Sequence, residues 1–239
     1  MVNLSKELQL ALRSAAVLPR EFYNRDPVTV ARELLGKLLI RRDGRKLLAG
    51  RIVEDEAYLG ANDPAAHGYS GMTPRNAVLF GPPGYAYVYF IYGNHYCLNV
   101  SCMRRGVGEG VLFRAMEPVA GIEAMAEARG MDVPTLAPKS SARMGPPGSF
   151  LSSAQLRLIS SGPGRMCEAL DITRERDNGK DFTSRTSDLY LADDGYRPER
   201  IVATPRIGIK KGVDEPLRFI VAGNLFVSGK RVTAPVSND

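Results

Sequence analysis

Four residues able to do chemistry fall within one short run, Glu54-Asp55-Glu56-Ala57-Tyr58. On an extended strand Glu54, Glu56 and Tyr58 share a face, because side chains alternate with period two. A ring beside a carboxylate suits a pocket: the ring stacks on a flat substrate while the carboxylate takes a proton. A glutamate of ordinary acidity, with a pKa of about 4.3, is ionised at neutral pH, as a base must be. Two carboxylates on one face repel each other unless a cation stands near. The same pentapeptide also reads as an exposed acidic edge strand.

A second cluster is aromatic. Tyr85, Tyr87, Tyr89, Phe90, Tyr92 and Tyr96 lie close together, alternating with Ala86 and Val88. The alternation predicts a hairpin that turns at Tyr92-Gly93-Asn94-His95 and returns from Tyr96 to Met103. Tyrosine-rich strands also arise from β-propensity and core packing alone. Tyr92 differs from the others, because a ring at a hairpin tip cannot be packed into the core by its own strand. It covers a neighbouring element or meets a partner, and a wedge between base pairs is one such use. Thr73-Pro74-Arg75-Asn76 adds cationic and hydrogen-bonding groups. Ser161-Gly162-Pro163-Gly164-Arg165 sets free backbone N–H groups and an arginine at a predicted helix start, a ready phosphate site. Turns of that composition are common, so this segment decides little alone.

The elements that must position these groups follow from local pattern. Asp26-Pro27 predicts a helix start, with N-cap then proline, and Val30, Leu34, Leu35 and Leu38 extend one apolar face to about residue 40. Residues 41–46 read as a charged turn around Asp43-Gly44, and 47–59 as a strand. Residues 61–83 form a long loop rich in Gly, Pro, Asn and Asp, and loops of that length are usually functional. Residues 111–117 read as a strand, 121–128 as a short helix, 131–153 as a mobile loop and 165–170 as a helix. Residues 189–232 read as short strands with turns at Asp193-Asp194-Gly195 and Ala222-Gly223-Asn224. The expected fold is α+β: one mixed domain over residues 1–239 around an antiparallel sheet, with a protruding, tyrosine-tipped hairpin.

Composition narrows the function. The chain has 239 residues, 44% of them hydrophobic, enough for one sizeable core. Lys and Arg number 32 against 26 Asp and Glu, a net charge of +6 that suits a polyanion or simply marks a basic protein. Three cysteines and two histidines are too few for a structural zinc or an iron–sulfur cluster. Cys97, Cys102 and Cys167 read as buried thiols of a reducing compartment. No stretch is long and apolar enough to span a bilayer, and the N-terminus lacks the apolar run of a signal peptide. The expectation is a monomer without metal or cofactor, cytoplasmic and nucleoid-associated.

Taken together, several stretches resemble the alkyladenine (3-methyladenine, or methylpurine) DNA glycosylase family. They are residues 51–60 (RIVEDEAYLG), Ala65-Ala66-His67, Thr73-Pro74-Arg75-Asn76, residues 87–93 (YVYFIYG), Cys97-Leu98-Asn99, Leu112-Phe113-Arg114-Ala115, Ser161-Gly162-Pro163, Arg206-Ile207-Gly208 and Pro216-Leu217-Arg218-Phe219. They keep the family's order and spacing from about Phe22 to Val232, which is far more specific than any one motif.

The resemblance implies a bacterial base-excision-repair enzyme acting on double-stranded DNA. Its substrates would be alkylated or deaminated purines: 3-methyladenine, 7-methylguanine, hypoxanthine and ethenoadenine. It implies Glu56 as the base that activates water, with Arg114 and the Ile207 carbonyl as the water's other partners. An arginine there would also keep Glu56 charged. Tyr58, His67 and Tyr89 would sandwich the flipped base, the His67 N–H would meet its edge, and Asn99 would clash with the 2-amino group of guanine. Tyr92 would fill the vacated stack; Thr73, Arg75, Asn94, Gly164 and Arg165 would hold DNA. A cationic purine between the rings gains about 0.5–2 kcal/mol from cation–π attraction. No lysine matches a Schiff-base role, so base release without strand cleavage is expected. Asn94 and His95 depart from the family, which often carries an apolar and an aromatic residue there. A non-catalytic nucleic-acid-binding module with the same aromatic hairpin is the competing reading.

Overall fold

The computed structural model describes residues 12, 14–44, 46–91, 93–131 and 151–229. In chain order these form β1 (Ala16–Val17), α1 (Arg20–Tyr23), α2 (Pro27–Leu34), β2 (Leu38–Asp43), β3 (Lys46–Tyr58), β4 (Ala86–Ile91), β5 (His95–Cys102), β6 (Glu109–Ala120), α3 (Ile122–Ala128), α4 (Ser153–Ser160), α5 (Pro163–Ala169), α6 (Arg174–Asp177), β7 (Leu189–Asp193), β8 (Ile201–Thr204) and β9 (Arg218–Val221). The strands make one antiparallel sheet in the order β1-β7-β2-β3-β6-β5-β4, with β9 paired to both β3 and β8. The α+β class and the antiparallel sheet are as expected. The tip residue of the expected hairpin, Tyr92, lies outside the described residues, as do 132–150 of the expected 131–153 loop. Among the described residues, no helix is long and apolar enough to cross a membrane.

β3 is the axis of the molecule. From Leu48 to Ala57 every residue but Arg51 is buried, because helices and loops cover both faces of the sheet there. Ile52, Val53 and Ala57 join the main core with Leu34, Phe113, Met116, Ile159, Met166 and Phe219. Burying these side chains contributes about 1.5–3 kcal/mol each for the larger ones. The ladder between β3 and β6 shifts register between Ile52 and Glu54 and again between Glu54 and Asp55. Bulges of this kind turn a strand locally and re-aim its side chains.

The helix expected to reach residue 40 ends at Leu34. Asp26 caps it through Thr29 N at 2.9 Å, and Pro27 occupies its first position as expected. Gly36 then takes a φ of +90°, which a side chain rarely adopts, and reverses the chain. Leu38-Leu39-Ile40, which continue the helical apolar spacing, are instead buried strand between β3 and β7. α4 was not anticipated. Ser152 opens it with a capping box, accepting from Gln155 N while the Gln155 side chain accepts from Ser152 N.

Candidate active site

Glu56 sits near the end of β3, opposite Leu112 of β6 and Arg218 of β9. Its carboxylate is fully buried and takes three donors. Oε1 accepts from Ile207 N at 2.8 Å and pairs with Arg114 Nη1 at 3.1 Å; Oε2 accepts from the Tyr58 hydroxyl at 2.9 Å. The exposed acidic edge strand is therefore excluded. Burial and the neighbouring Glu56 charge push the Tyr58 phenol well up, so it stays protonated and remains a donor.

Glu54 lies on the same face, as the alternation requires, and does separate work. Its Oε1 accepts from Arg114 Nε at 2.8 Å, Arg218 Nε at 2.7 Å and Ser228 Oγ at 2.8 Å; Oε2 accepts from Ser228 N. Two carboxylates and two guanidiniums thus alternate as Glu56–Arg114–Glu54–Arg218. This resolves the repulsion that the sequence raises, since each carboxylate has a cation beside it. Asp55 points the other way, into the core. Neither of its oxygens has a hydrogen-bond partner, and burial, followed by the Glu54 and Glu56 charges, drives its carboxyl well above the usual range.

In front of this network lies a cavity of about 840 Å³. Tyr58, His67, Tyr87, Tyr89, Asn99, Arg114, Arg165 and Ile207 all face it. Glu56 stands one layer behind, bonded to the cavity-lining Tyr58, Arg114 and Ile207. His67 and Tyr89 touch, with ring centroids 4.4 Å apart, and present one joint wall. Tyr87 extends that wall: its hydroxyl meets His67 Nδ1 at 2.9 Å. Partial burial and the Arg75 charge lower the His67 pKa, which keeps the imidazole neutral at pH 7. Asn99 is buried and donates to Tyr87 O at 3.1 Å.

Of the residues expected to hold DNA, Thr73, Arg75 and Asn94 are exposed. Thr73 leans on Asn76, donating its N–H and hydroxyl to Oδ1 at 2.6 and 3.0 Å. The guanidinium of Arg75 lies 5.9 Å from the Tyr89 ring centroid. The segment 161–165 is less open than expected, because the Gly162 N–H is spent on Arg114 O at 3.0 Å and α5 begins at Pro163. Gly164 packs against His95: a Cβ there would meet His95 Cγ at 2.9 Å. His95 in turn pairs with Glu168 of α5 through Nδ1 at 3.0 Å, and Glu168 also binds Arg129. The start of β5 is thereby docked on α5.

Sequence reasoning missed three supports. Asn76 is buried and donates to His67 O at 2.7 Å and Gly71 O at 3.1 Å, folding the loop that carries the His67 wall. Asp63 and Arg206 form a buried ion pair behind Tyr58. Glu54 was grouped with Glu56, with no role of its own. The arginine partners of Asp63 and Glu54 lie 60 or more residues away, and the bonds of Asn76 depend on the path of an irregular loop, so no repeating pattern marks them.

Comparison with known proteins places the chain in a family. Residues 21–225 match the family model described as "Methylpurine-DNA glycosylase (MPG)". A Koribacter versatilis protein named "Putative 3-methyladenine DNA glycosylase" is 59% identical over 221 residues, spanning 92% of this chain and 97% of that protein. Proteins of the same name from Burkholderia lata and Methanoculleus marisnigri are each 46% identical over 215 residues, covering 90% and 88% of this chain and 92% and 98% of their own. With its buried, arginine-paired glutamate and ring-walled cavity, this chain belongs to the methylpurine-DNA glycosylase family.

Proposed function

We propose that the protein excises alkylated or deaminated purines from double-stranded DNA, with Glu56 activating the water that attacks the sugar carbon. The observation that carries this reading is the arginine-paired Glu56 carboxylate directly behind a cavity walled by Tyr58, His67 and Tyr89. A base inside the duplex cannot reach that cavity, so the nucleotide must leave the stack, which costs least for damaged or mispaired bases. The extrahelical base then stacks between Tyr58 and the joint His67–Tyr89 wall. Asn99, fixed by its bond to Tyr87 O, meets the base edge and crowds the 2-amino group of normal guanine; 7-methylguanine carries that group too, but its positive charge makes it a better leaving group and offsets the crowding.

Oε2 of Glu56 has one donor, Tyr58, and keeps a lone pair for a water proton. Arg114 Nη1 lies beside the Ile207 carbonyl at 3.5 Å, so a donor and an acceptor for that water adjoin each other. As the glycosidic bond lengthens, positive charge grows on the sugar, and the carboxylate both stabilises it and takes the proton. A carboxylate base leaves an abasic site with the strand intact. Lys210 and Lys211 stand at the cavity mouth. Trapping with borohydride tests whether either attacks the sugar; no covalent adduct is expected.

Arg165, Arg75 and Asn94 are proposed as backbone contacts, with Tyr92 as the wedge. The test is a duplex carrying one hypoxanthine or ethenoadenine, incubated and then treated with alkali. The wild type releases the base, whereas Glu56→Gln retains lesion binding and loses about 10²–10⁴-fold in excision. Binding without excision by the wild type, on every lesion tried, would establish the binding-module reading instead.

A further inference from the structure

Behind the Tyr58 wall lies an ion pair with no place in the chemistry above. Arg206 is wholly buried and does not face the cavity; its guanidinium carbon sits 4.6 Å from the Tyr58 ring centroid. Asp63 holds it in a two-point grip, Nη2 to Oδ1 at 2.9 Å and Nη1 to Oδ2, and Nη1 also donates to Ala57 O at 3.1 Å. Asp63 itself accepts from Leu59 N at 3.2 Å and Ala65 N at 3.0 Å. Those two amides favour its charged form together with Arg206. Tyr58 thus has a cation behind it, a slot in front, and a carboxylate that cancels the cation.

The position of the pair matters because of what the slot is proposed to hold. A purine alkylated at N3 or N7 is a cation, and hypoxanthine is neutral. An unbalanced guanidinium behind the wall would repel the first and scarcely affect the second. Several other charges near the slot are matched or removed: Arg114 by Glu54 and Glu56, Arg129 by Glu168, and His67 by its neutral state. The exceptions, Arg75, Arg165, Lys210 and Lys211, are exposed to solvent, which screens them, whereas Arg206 is buried against the ring.

We propose that Asp63 is a specificity-determining positioning residue: by neutralising Arg206 behind Tyr58, it lets the slot accept a positively charged purine. The inference rests on the glycosylase reading of the site. Arg206 is also tied to the site by chain position and packing. It immediately precedes Ile207, whose N–H holds Glu56, and it packs the ring whose hydroxyl holds the other oxygen. A methionine would fill the space but would not bind Ala57 O or fix the loop at Asp63.

The test is the ratio of kcat/KM for 7-methylguanine to that for hypoxanthine, in one duplex sequence at one pH. A base stacked on Tyr58 lies roughly 9 Å from the guanidinium, and at an effective dielectric near 20 the uncancelled charge lowers the ratio about twentyfold. Asp63→Asn is expected to lower it by about that factor. Arg206→Gln, which leaves the Asp63 charge behind the wall, is expected to raise it. The double variant should return to the wild-type value. A variant that is merely poorly folded slows both lesions alike and leaves the ratio unchanged, so a ratio unmoved in either single variant overturns the proposal. If the wild type excises neither lesion, the glycosylase reading has failed, a distinct result.

Discussion

Glu54→Gln isolates what the buried charge chain contributes to stability from what it contributes to chemistry. Glu54 is 0% exposed and binds two guanidiniums and both donors of Ser228. The amide keeps the shape but removes one negative charge from a set in which two carboxylates balance two arginines. It also turns an N–H donor toward either Ser228 N or an arginine. Breaking a buried pair by neutralising one partner costs about 3–5 kcal/mol, a large share of the 5–15 kcal/mol available to an ordinary domain. For a chain of this length each kcal/mol lowers Tm by about 2–4 °C, so a fall of about 6–20 °C is expected by calorimetry. Excision should slow as well, because Arg114 loses the anchor on its Nε and retains only Glu56. Single-turnover rates at a temperature where the variant is folded should drop at least about tenfold. A Tm within about 2 °C of wild type would refute the reasoning, since it would mean the arginines are compensated elsewhere. Adding Arg218→Met to Glu54→Gln restores the charge balance and should recover part of the lost stability.

Three further outcomes follow from particular contacts. Asn76→Ala frees His67 O and Gly71 O and leaves Thr73 N unpaired; lesion affinity measured by anisotropy should fall about tenfold, with Tm lowered by less than for Glu54→Gln. Asp55 has a carboxyl raised in the folded state, so its protonated form favours folding and the contribution is lost as pH rises through the folded pKa. Each unit of that rise that lies below pH 7 costs about 1.4 kcal/mol at pH 7. Asp55→Asn should therefore raise Tm at pH 7, with the gain shrinking toward pH 4; a loss of stability at pH 7 would show that the acid is ionised and paired. Gly164→Ala places a methyl 2.9 Å from His95 Cγ and must push the start of β5 off α5; excision should slow most for stably paired lesions, while Tm changes little.

Much of this site is legible in the sequence because strand chemistry is local. Period-two alternation puts Glu54, Glu56 and Tyr58 on one face, and the aromatic run announces β4 and β5. The start of α2 is announced in the same way by Asp26-Pro27, since a cap is a contact between near neighbours. Its end is not, because Leu38-Leu39-Ile40 fit a helix as well as a buried strand. The deciding facts are Gly36 and a partner strand, β7, about 150 residues downstream. The same limit hides Arg206 behind Tyr58 and Ser228 on Glu54. Their separations along the chain exceed 140 residues, and only the folded sheet brings them together. The expectation of open amides at 161–165 is narrowed for a related reason: Arg114 O, nearly fifty residues away, takes that of Gly162.

The three consecutive acids of β3 have opposite fates, and register alone assigns them. Asp55 faces an apolar interior and Glu56 faces the arginine, although one bond step separates them. Deleting a single residue upstream in the strand would exchange their faces, bringing Asp55 to the arginines and sending Glu56 into the apolar interior. Insertions and deletions should therefore be barred from β3 far more strictly than substitutions are, while the outer loops absorb changes of length freely. The side of the sheet on which each acid lands is specified by counting as much as by chemistry.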